Sequence, residues 1–360
     1  LIRPNITRLK PYRPGKPIDE VKRELGLTDV VKMASNENVL GPSPKAIAAM
    51  QQAAQEVWLY PDAECFYLKQ ALAQKFGYKP ENFALGTGSD EILHLIALAY
   101  FQAGDEIVFA QPSFVVYESQ VHLMDCVPRV VPLKNLTHDL AAMRATVNEK
   151  TKAVFICNPN NPTGTYNTQA EVEAFMDGLP EHVLVVFDEA YYEYVEAADY
   201  PRSLRYVEEG RNVIVLRTFS KIYALAGARI GYGIAKEDII TNLNRVREPF
   251  NVNSLAQAAA IASLEDNEQV ERTRRMNSEG KRYLYAEFEK MGLPYAPTEA
   301  NFIFVDTQRD SQEVFQALLR QGVIVRTGDI FGLPTFIRVT IGTREMNERF
   351  IAALKNVLRR

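Results

Sequence analysis

Cysteine is scarce in this chain: Cys65, Cys126 and Cys157 are the three among 360 residues. They are odd in number, far apart and without a CxxC pair, which excludes a disulfide framework and suits a reducing compartment. Histidine is almost as rare, and His94, His122, His138 and His182 stand at no ligand spacing from one another or from cysteine, so no metal site is expected. No GxSxG elbow occurs, which argues against an α/β hydrolase. No apolar run approaches the roughly 20 residues that cross a bilayer, and the opening LIRPNITRLKPYRPGKP lacks the apolar centre of a secretion signal. A cytoplasmic protein is expected; as the chain starts at Leu1 and not at Met, a few residues are expected to precede it. An excess of charge is missing too. With 45 acidic and 41 basic residues the formal charge is −4, so nothing in the balance favours nucleic acid or an anionic membrane. What remains, 47% hydrophobic and 24% charged, is the composition of an ordinary globular protein.

The length exceeds the roughly 100 to 200 residues of one domain, so two are expected. The first 35 or so residues, Pro-rich and basic up to Pro17, read as an extended arm lying on another element. From Phe83 short β-branched runs alternate with helical stretches: FALGTG then SDEILHLIALAYF, EIVFAQP then SFVVYESQVHL, KAVFICNP, VLVVFDEAY, NVIVLRTFS and ARIGYGIA. Ile92, Leu95, Ile96 and Ala99 recur at helical spacing, which predicts a helix over Ser89 to Phe101 capped by Ser89. Near-continuous apolar strands are buried on both faces, as in a mostly parallel sheet covered by helices. Ala256 to Leu264 and Glu268 to Met291 read as helices leading away from it. NFIFVD, a helix near Ser311 to Gln321, the strands VIVRTG and FIRVTIG, and a helix from Glu345 to Arg360 then make a second, smaller α/β unit. The expected class is therefore α/β, with a large domain over 39–255, a small C-terminal domain over 256–360, and 1–38 as an arm that joins the small domain.

Four segments end strands with polar residues that a buried sheet would not otherwise need, and in open α/β sheets ligands bind beyond the carboxyl ends of the strands. GTGSDE (86–91) is a Gly-rich turn opening a helix, whose free N–H groups suit a phosphate; with Glu91 in place of a third glycine it departs from the dinucleotide fingerprint, and a plain tight turn would read the same. CNPNNPTG (157–164) is a rigid turn that aims the Asn161 amide at one point. In VLVVFDEAYYEY, Asp188 and Glu189 follow five apolar residues; a carboxylate there is costly to bury unless it meets a cation. LRTFSKIYALAGARIGYG carries Lys221 just past a strand, and Arg229 eight residues on. In FIRVTIG, Ile337, Val339 and Ile341 alternate onto one face and leave Arg338 on the other, where a buried guanidinium wants a carboxylate.

The order Gly-rich turn, Asn-Pro-Thr-Gly, Asp-Glu-Ala-Tyr, Ser-Lys, Arg resembles the fold-type I pyridoxal-phosphate aminotransferases across nearly the whole chain, and ASNENVLGPSP, YPDA and FIRVTIGTRE fit the same pattern. The resemblance implies pyridoxal 5'-phosphate as cofactor and a ping-pong transfer of an amino group from a small donor to a 2-oxoacid. It implies that Lys221 is the catalytic lysine that holds the cofactor and shuttles a proton, which requires an amine far less basic than the usual pKa of about 10.4. It implies Asp188 facing the pyridine nitrogen, Asn161 and Tyr191 on the phenolic oxygen, and Phe114 stacked on the ring. Ser89, Asp90, Thr218, Ser220 and Arg229 would hold the phosphate, with Tyr60 reaching the cofactor of a second subunit in a homodimer. Arg338 would take the substrate carboxylate, Arg326 a second anion, and Tyr12 of the arm would reach substrate, with Asn161 beside it. The residues leave the amino donor open among an imidazole-bearing phosphate, an aromatic amino acid and, for a decarboxylase of the same pattern, threonine phosphate. A cofactor-binding transcription regulator is not expected, since no DNA-binding segment is read ahead of Asn38 and no basic recognition helix is seen, and an NAD-dependent oxidoreductase is disfavoured by the missing third glycine and the absence of an acidic residue ending a second strand about 20 residues on.

Overall fold

The computed structural model describes residues 1–9, 11, 15–359. Tyr12 lies outside the described residues. The described residues of the N-terminal segment include two helical elements in place of the expected extended arm. Pro4–Arg8 form a 3-10 turn in which the buried Asn5 side chain donates to the carbonyls of His122 and Leu123, and Ile18–Leu25 form an α-helix with acidic residues in its first turn and basic ones in its last. The prolines fall before the helix and not inside it, so they do not prevent it.

Strand β1 (Val31–Lys32) follows. Then β2 (Phe83–Gly86), β3 (Glu106–Gln111), β4 (Val127–Pro132), β5 (Thr151–Cys157), β6 (Leu184–Asp188), β7 (Val213–Thr218) and β8 (Gly231–Ala235) form one sheet in the order β2-β8-β7-β6-β5-β3-β4. All neighbours are parallel except β8, which runs antiparallel to both β2 and β7. Side chains alternate across the sheet. Ile107, Phe109, Phe155, Val186 and Leu216 pack on one face, while Val108, Val154, Ile156, Val185 and Val215 pack on the other. That parity decides the site: Asp188 continues the face of Val186, whereas Glu189 turns to the opposite face and meets Arg217 of β7 in a buried ion pair at 2.8 Å.

The smaller sheet is antiparallel, with β9 (Tyr295–Ala296), β10 (Phe302–Asp306), β12 (Arg326–Thr327) and β13 (Phe336–Thr340) in the order β12-β13-β10-β9. The stretch VIVRTG, expected as one strand, is two: β11 (Val323–Ile324) pairs in parallel with β1, and β12 pairs with β13. Long-range pairing to the N-terminal segment causes the split, and local periodicity carries no trace of it. Ile337, Val339 and Ile341 do share one apolar core, with Phe288, Phe350 and Leu354 of the helices Asn267–Met291 and Arg344–Leu358. The helix Ser254–Leu264 packs Ala256, Ala259 and Ala260 against Ala46, Leu68 and Leu72 beside the large sheet. No helix among the described residues is long and apolar enough to cross a membrane.

Candidate active site

The carboxyl ends of β5, β6 and β7 open into a cavity of about 210 Å³ that the β12–β13 edge of the small sheet closes from the other side. Its lining includes Ser89, Asp90, Phe114, Asn161, Asp188, Tyr191, Thr218, Ser220, Lys221, Arg229, Arg326 and Arg338, residues drawn from positions 89 to 338. Tyr60 is not among them. It stands 82% exposed, stacked on Phe250 with ring centroids 4.7 Å apart.

One end of the cavity is built for an anion. The helix Ser89–Tyr100 starts there, and its cap is Gly88 and not Ser89: Gly88 takes φ +81, and Ser89 is the first helical residue. A Cβ on Gly88 would lie 2.6 Å from Nη2 of Arg229, so only glycine leaves the guanidinium its place. Likewise a Cβ on Gly231 of β8 would come within 2.4 Å of the Ser89 nitrogen. Arg229, itself at φ 59, is steered by the carbonyls of Ala226 (3.1 Å) and Thr87 (3.4 Å) and by Asp90 at 3.8 Å. The hydroxyl-bearing Thr218 and Ser220 are buried beside it. A helix N-terminus, a planar guanidinium and small hydroxyls at one point are the donor set of a phosphate site.

Asp188 lies deeper and is buried. Tyr117 donates to its Oδ2 at 2.8 Å and the Ala190 N–H to its Oδ1 at 3.3 Å, yet burial pushes the carboxyl up to about 6 against those bonds. Among the described residues no cation is ion-paired with Asp188; Arg217, the nearest basic residue along β7, is engaged by Glu189 on the far face. Sequence reasoning missed Tyr117. Its ring, stacked parallel to Phe155 at 4.7 Å and edge-on to Phe114 at 5.7 Å, supports the aromatic wall from behind; its position one helical turn after Phe114 is the only signal the sequence offers.

Lys221 has the opposite shift. Burial lowers its ammonium to about 8, and the Arg338 guanidinium adds to this while Glu37 and Asp90 oppose it. Its Nζ lies 3.4 Å from the Ser35 carbonyl and 5.7 Å from the centroid of the Tyr191 ring. A buried acid that wants a cation and a lysine held partly neutral face one cavity, which is the pairing of shifted groups expected of a reactive site.

The Asn161 turn is pinned through its neighbour. Asn160 accepts from Ser113 Oγ at 2.8 Å, contacts His138 Nε2 at 3.1 Å, and donates to the Pro112 carbonyl and to Thr163 Oγ1. Asn161 is then free to face the cavity, where its Oδ1 accepts from Arg338 Nη1 at 2.5 Å. Arg338 also donates to the Ala34 carbonyl at 2.8 Å, which fixes the guanidinium plane from both sides. Because Arg338 takes the Asn161 oxygen, the amide N–H₂ is what Asn161 has left to offer a ligand.

The family model for class I and II aminotransferases matches residues 28–354. The chain belongs to the class I and II aminotransferases. Among relatives of this aminotransferase, a histidinol-phosphate aminotransferase of Moorella thermoacetica is 60% identical over 98% of this chain and 92% of its own length. Another, from Carboxydothermus hydrogenoformans, is 50% identical over 99% of both chains. Among solved structures, histidinol-phosphate aminotransferase from Sinorhizobium meliloti in complex with pyridoxal-5'-phosphate superposes with a TM-score of 0.91 at 30% identity, covering 99% of this chain and 97% of that one.

Proposed function

We propose that this aminotransferase is pyridoxal-phosphate-dependent and moves the amino group of histidinol phosphate to 2-oxoglutarate, giving imidazole acetol phosphate and glutamate in histidine biosynthesis. The observation that carries the reading is the convergence on one cavity of the partly neutral Lys221, the uncompensated Asp188 carboxylate, the Arg229 anion cradle and the two arginines Arg326 and Arg338. Relatives of the same name at 60% and 50% identity over nearly the full chain support the substrate.

The residues fit the cofactor. Asp188 would gain in a pyridinium nitrogen the cation its burial requires, and the Gly88–Arg229 cradle would suit the phosphate. When bound, the cofactor supplies an electron sink for the substrate carbon and a carrier for the amino group between two half-reactions. The chain's own groups do the rest. Lys221, with about half its amines neutral near pH 8, takes the proton from the substrate carbon and returns it. Phe114 flanks the cavity, while Asn161 and Tyr191 present neutral donors. Arg338, held flat by Asn161 and Ala34, offers its fork to the carboxylate of glutamate or 2-oxoglutarate, and Arg326 takes the second anion, phosphate in one half-reaction and side-chain carboxylate in the other.

The same reading makes the protein a cytoplasmic homodimer. Trp58, Tyr60 and Tyr67 are each more than 70% exposed within one stretch, together with Val57, Leu59 and Phe66, an apolar patch of the kind that marks an interface. On this reading Tyr60, exposed and outside the lining of its own cavity, reaches the partner's cofactor, and Tyr12 is assigned to the partner's substrate by the family resemblance alone. The reading also keeps the division into 1–38, 39–255 and 256–360, which is supported by the strands of the seven-stranded sheet falling within 83–235 and those of the four-stranded sheet within 295–340. Steady-state kinetics with histidinol phosphate, phenylalanine, tyrosine and threonine phosphate test the proposal. A tenfold preference for the aromatic amino acids, or carbon dioxide release from threonine phosphate, replaces it with the corresponding activity.

A further inference from the structure

Three consecutive residues of the segment after β1 touch three groups of the site. The Ala34 carbonyl accepts from Arg338, the Ser35 carbonyl from Lys221, and the Asn36 side chain donates to the Tyr191 hydroxyl at 3.0 Å. Asn36 is buried, and it holds the left-handed φ of 58, which asparagine tolerates better than most residues. Both of its neighbours in the small sheet's framework fix it: the Asn301 amide donates to the Asn36 carbonyl at 3.0 Å, and the Asn36 N–H donates to Thr340 Oγ1 at 3.0 Å.

The direction of each bond follows from donors and acceptors alone. As Thr340 Oγ1 accepts from the Asn36 N–H, its own proton is left for Asn36 Oδ1, 3.3 Å away. With Oδ1 so occupied, the amide must turn its N–H₂ toward Tyr191. The Tyr191 oxygen therefore accepts, and its single proton points away from Asn36. We infer that Asn36 is a positioning residue that sets the polarity of the Tyr191 hydroxyl, keeping its proton directed into the cavity for the cofactor oxygen. The polarity itself is a property of this chain; its consequence for the cofactor rests on the proposed function above. A donor aimed at that oxygen favours the form bearing more negative charge, so it lowers the pKa of the lysine-bound cofactor.

Two variants test this. Asn36→Gly accepts the backbone conformation and removes the amide, whereas Asn36→Asp keeps the shape and replaces the donor with an acceptor, which draws the Tyr191 proton to itself. The first measurement needs no cofactor: the ζ-carbon resonance of Tyr191 in tyrosine-labelled cofactor-free protein, assigned by its loss in Tyr191→Phe, should move in both variants, further in Asn36→Asp. An unmoved resonance overturns the inference. The second measurement titrates the visible absorption of the lysine-bound cofactor. Asn36→Gly should raise its pKa by roughly half to one unit and weaken cofactor affinity by about three- to tenfold, the scale of one hydrogen bond. In a Tyr191→Phe background neither change should recur, because the group through which Asn36 acts is gone; equal shifts in both backgrounds overturn the inference. Failure of the unaltered protein to develop the absorption band refutes the cofactor reading instead, and the resonance still decides the polarity.

Discussion

Asp188→Asn should make the cofactor-free protein more stable while making the loaded enzyme worse. In the folded chain burial raises the Asp188 carboxyl from the usual carboxylate range to about 6. Since the folded pKa exceeds the unfolded one, the folded state holds the extra proton between them; the stability tied to that proton is complete below about pH 4 and is lost as the pH rises through about 6. A shift of about two units corresponds to about 2 to 3 kcal/mol, an upper figure for the penalty of keeping an unpaired carboxylate buried at neutral pH. Asparagine has the same shape and can still accept from Tyr117, yet it bears no charge, so it resembles the protonated acid at every pH. Urea unfolding of the cofactor-free proteins at pH 4 and pH 8 reads the difference: the variant's midpoint should lie well above that of the unaltered protein at pH 8 and close to it at pH 4. Pyridoxal phosphate should then stabilise the unaltered protein much more than the variant, whose amide offers the pyridine nitrogen no countercharge, and turnover of the variant should collapse. A variant less stable than the unaltered protein at pH 8 would refute the reasoning, because it would mean that Asp188 is not an uncompensated buried charge.

The arginines make a four-way comparison. Arg326→Leu should lower kcat/KM for histidinol phosphate and 2-oxoglutarate alike by several tens-fold, about 2 kcal/mol or more, whereas Arg338→Leu should harm 2-oxoglutarate far more than the donor, which has a hydroxymethyl group where the acceptor has a carboxylate; equal losses in all four cells would remove the division of labour. Cofactor uptake by the cofactor-free protein should quicken as the pH rises and level off above about 8, where Lys221 is mostly neutral, and a rate still climbing toward pH 10 would indicate an ordinary lysine. Tyr60→Phe should weaken cofactor affinity by about 1.5 to 3 kcal/mol, the worth of a charge-assisted hydrogen bond. Mixing it with Lys221→Ala subunits should restore tight binding at the one site that combines an intact lysine with the partner's intact tyrosine, and no recovery would place Tyr60 in its own chain's site or in none.

The parts of the site that sequence could reveal are those whose signal is local. Asp188 stood out because five apolar residues precede it, and Arg338 because its neighbours alternate onto the core; both inferences need only the period of a strand. Lys221 is different, since nothing in its own neighbourhood separates it from a surface lysine, and it was legible only through resemblance to a family. The groups that tune the site were silent. Asn36 and Thr340 are 304 positions apart, Ala34 meets Arg338 across the same gap, and Tyr117 meets Asp188 over 71 residues. Partners of that kind are chosen by the packing of one sheet against another, which leaves no periodic mark. The same cause misled the reading of VIVRTG, where Val323 and Ile324 leave for β1 while Arg326 and Thr327 stay with β13. At Gly88 the local rule itself gave the wrong residue: serine is a common cap, but the close approach of Arg229 requires the glycine before it to make the turn.

Incubating the protein with pyridoxal phosphate, fixing the linkage with borohydride and locating the modified residue by peptide mass mapping shows whether Lys221 carries the cofactor. A single pyridoxyl group per chain is expected, on Lys221, and none in Lys221→Ala. Modification centred on any other lysine, or full labelling and transamination by the Lys221→Ala protein, would contradict that assignment.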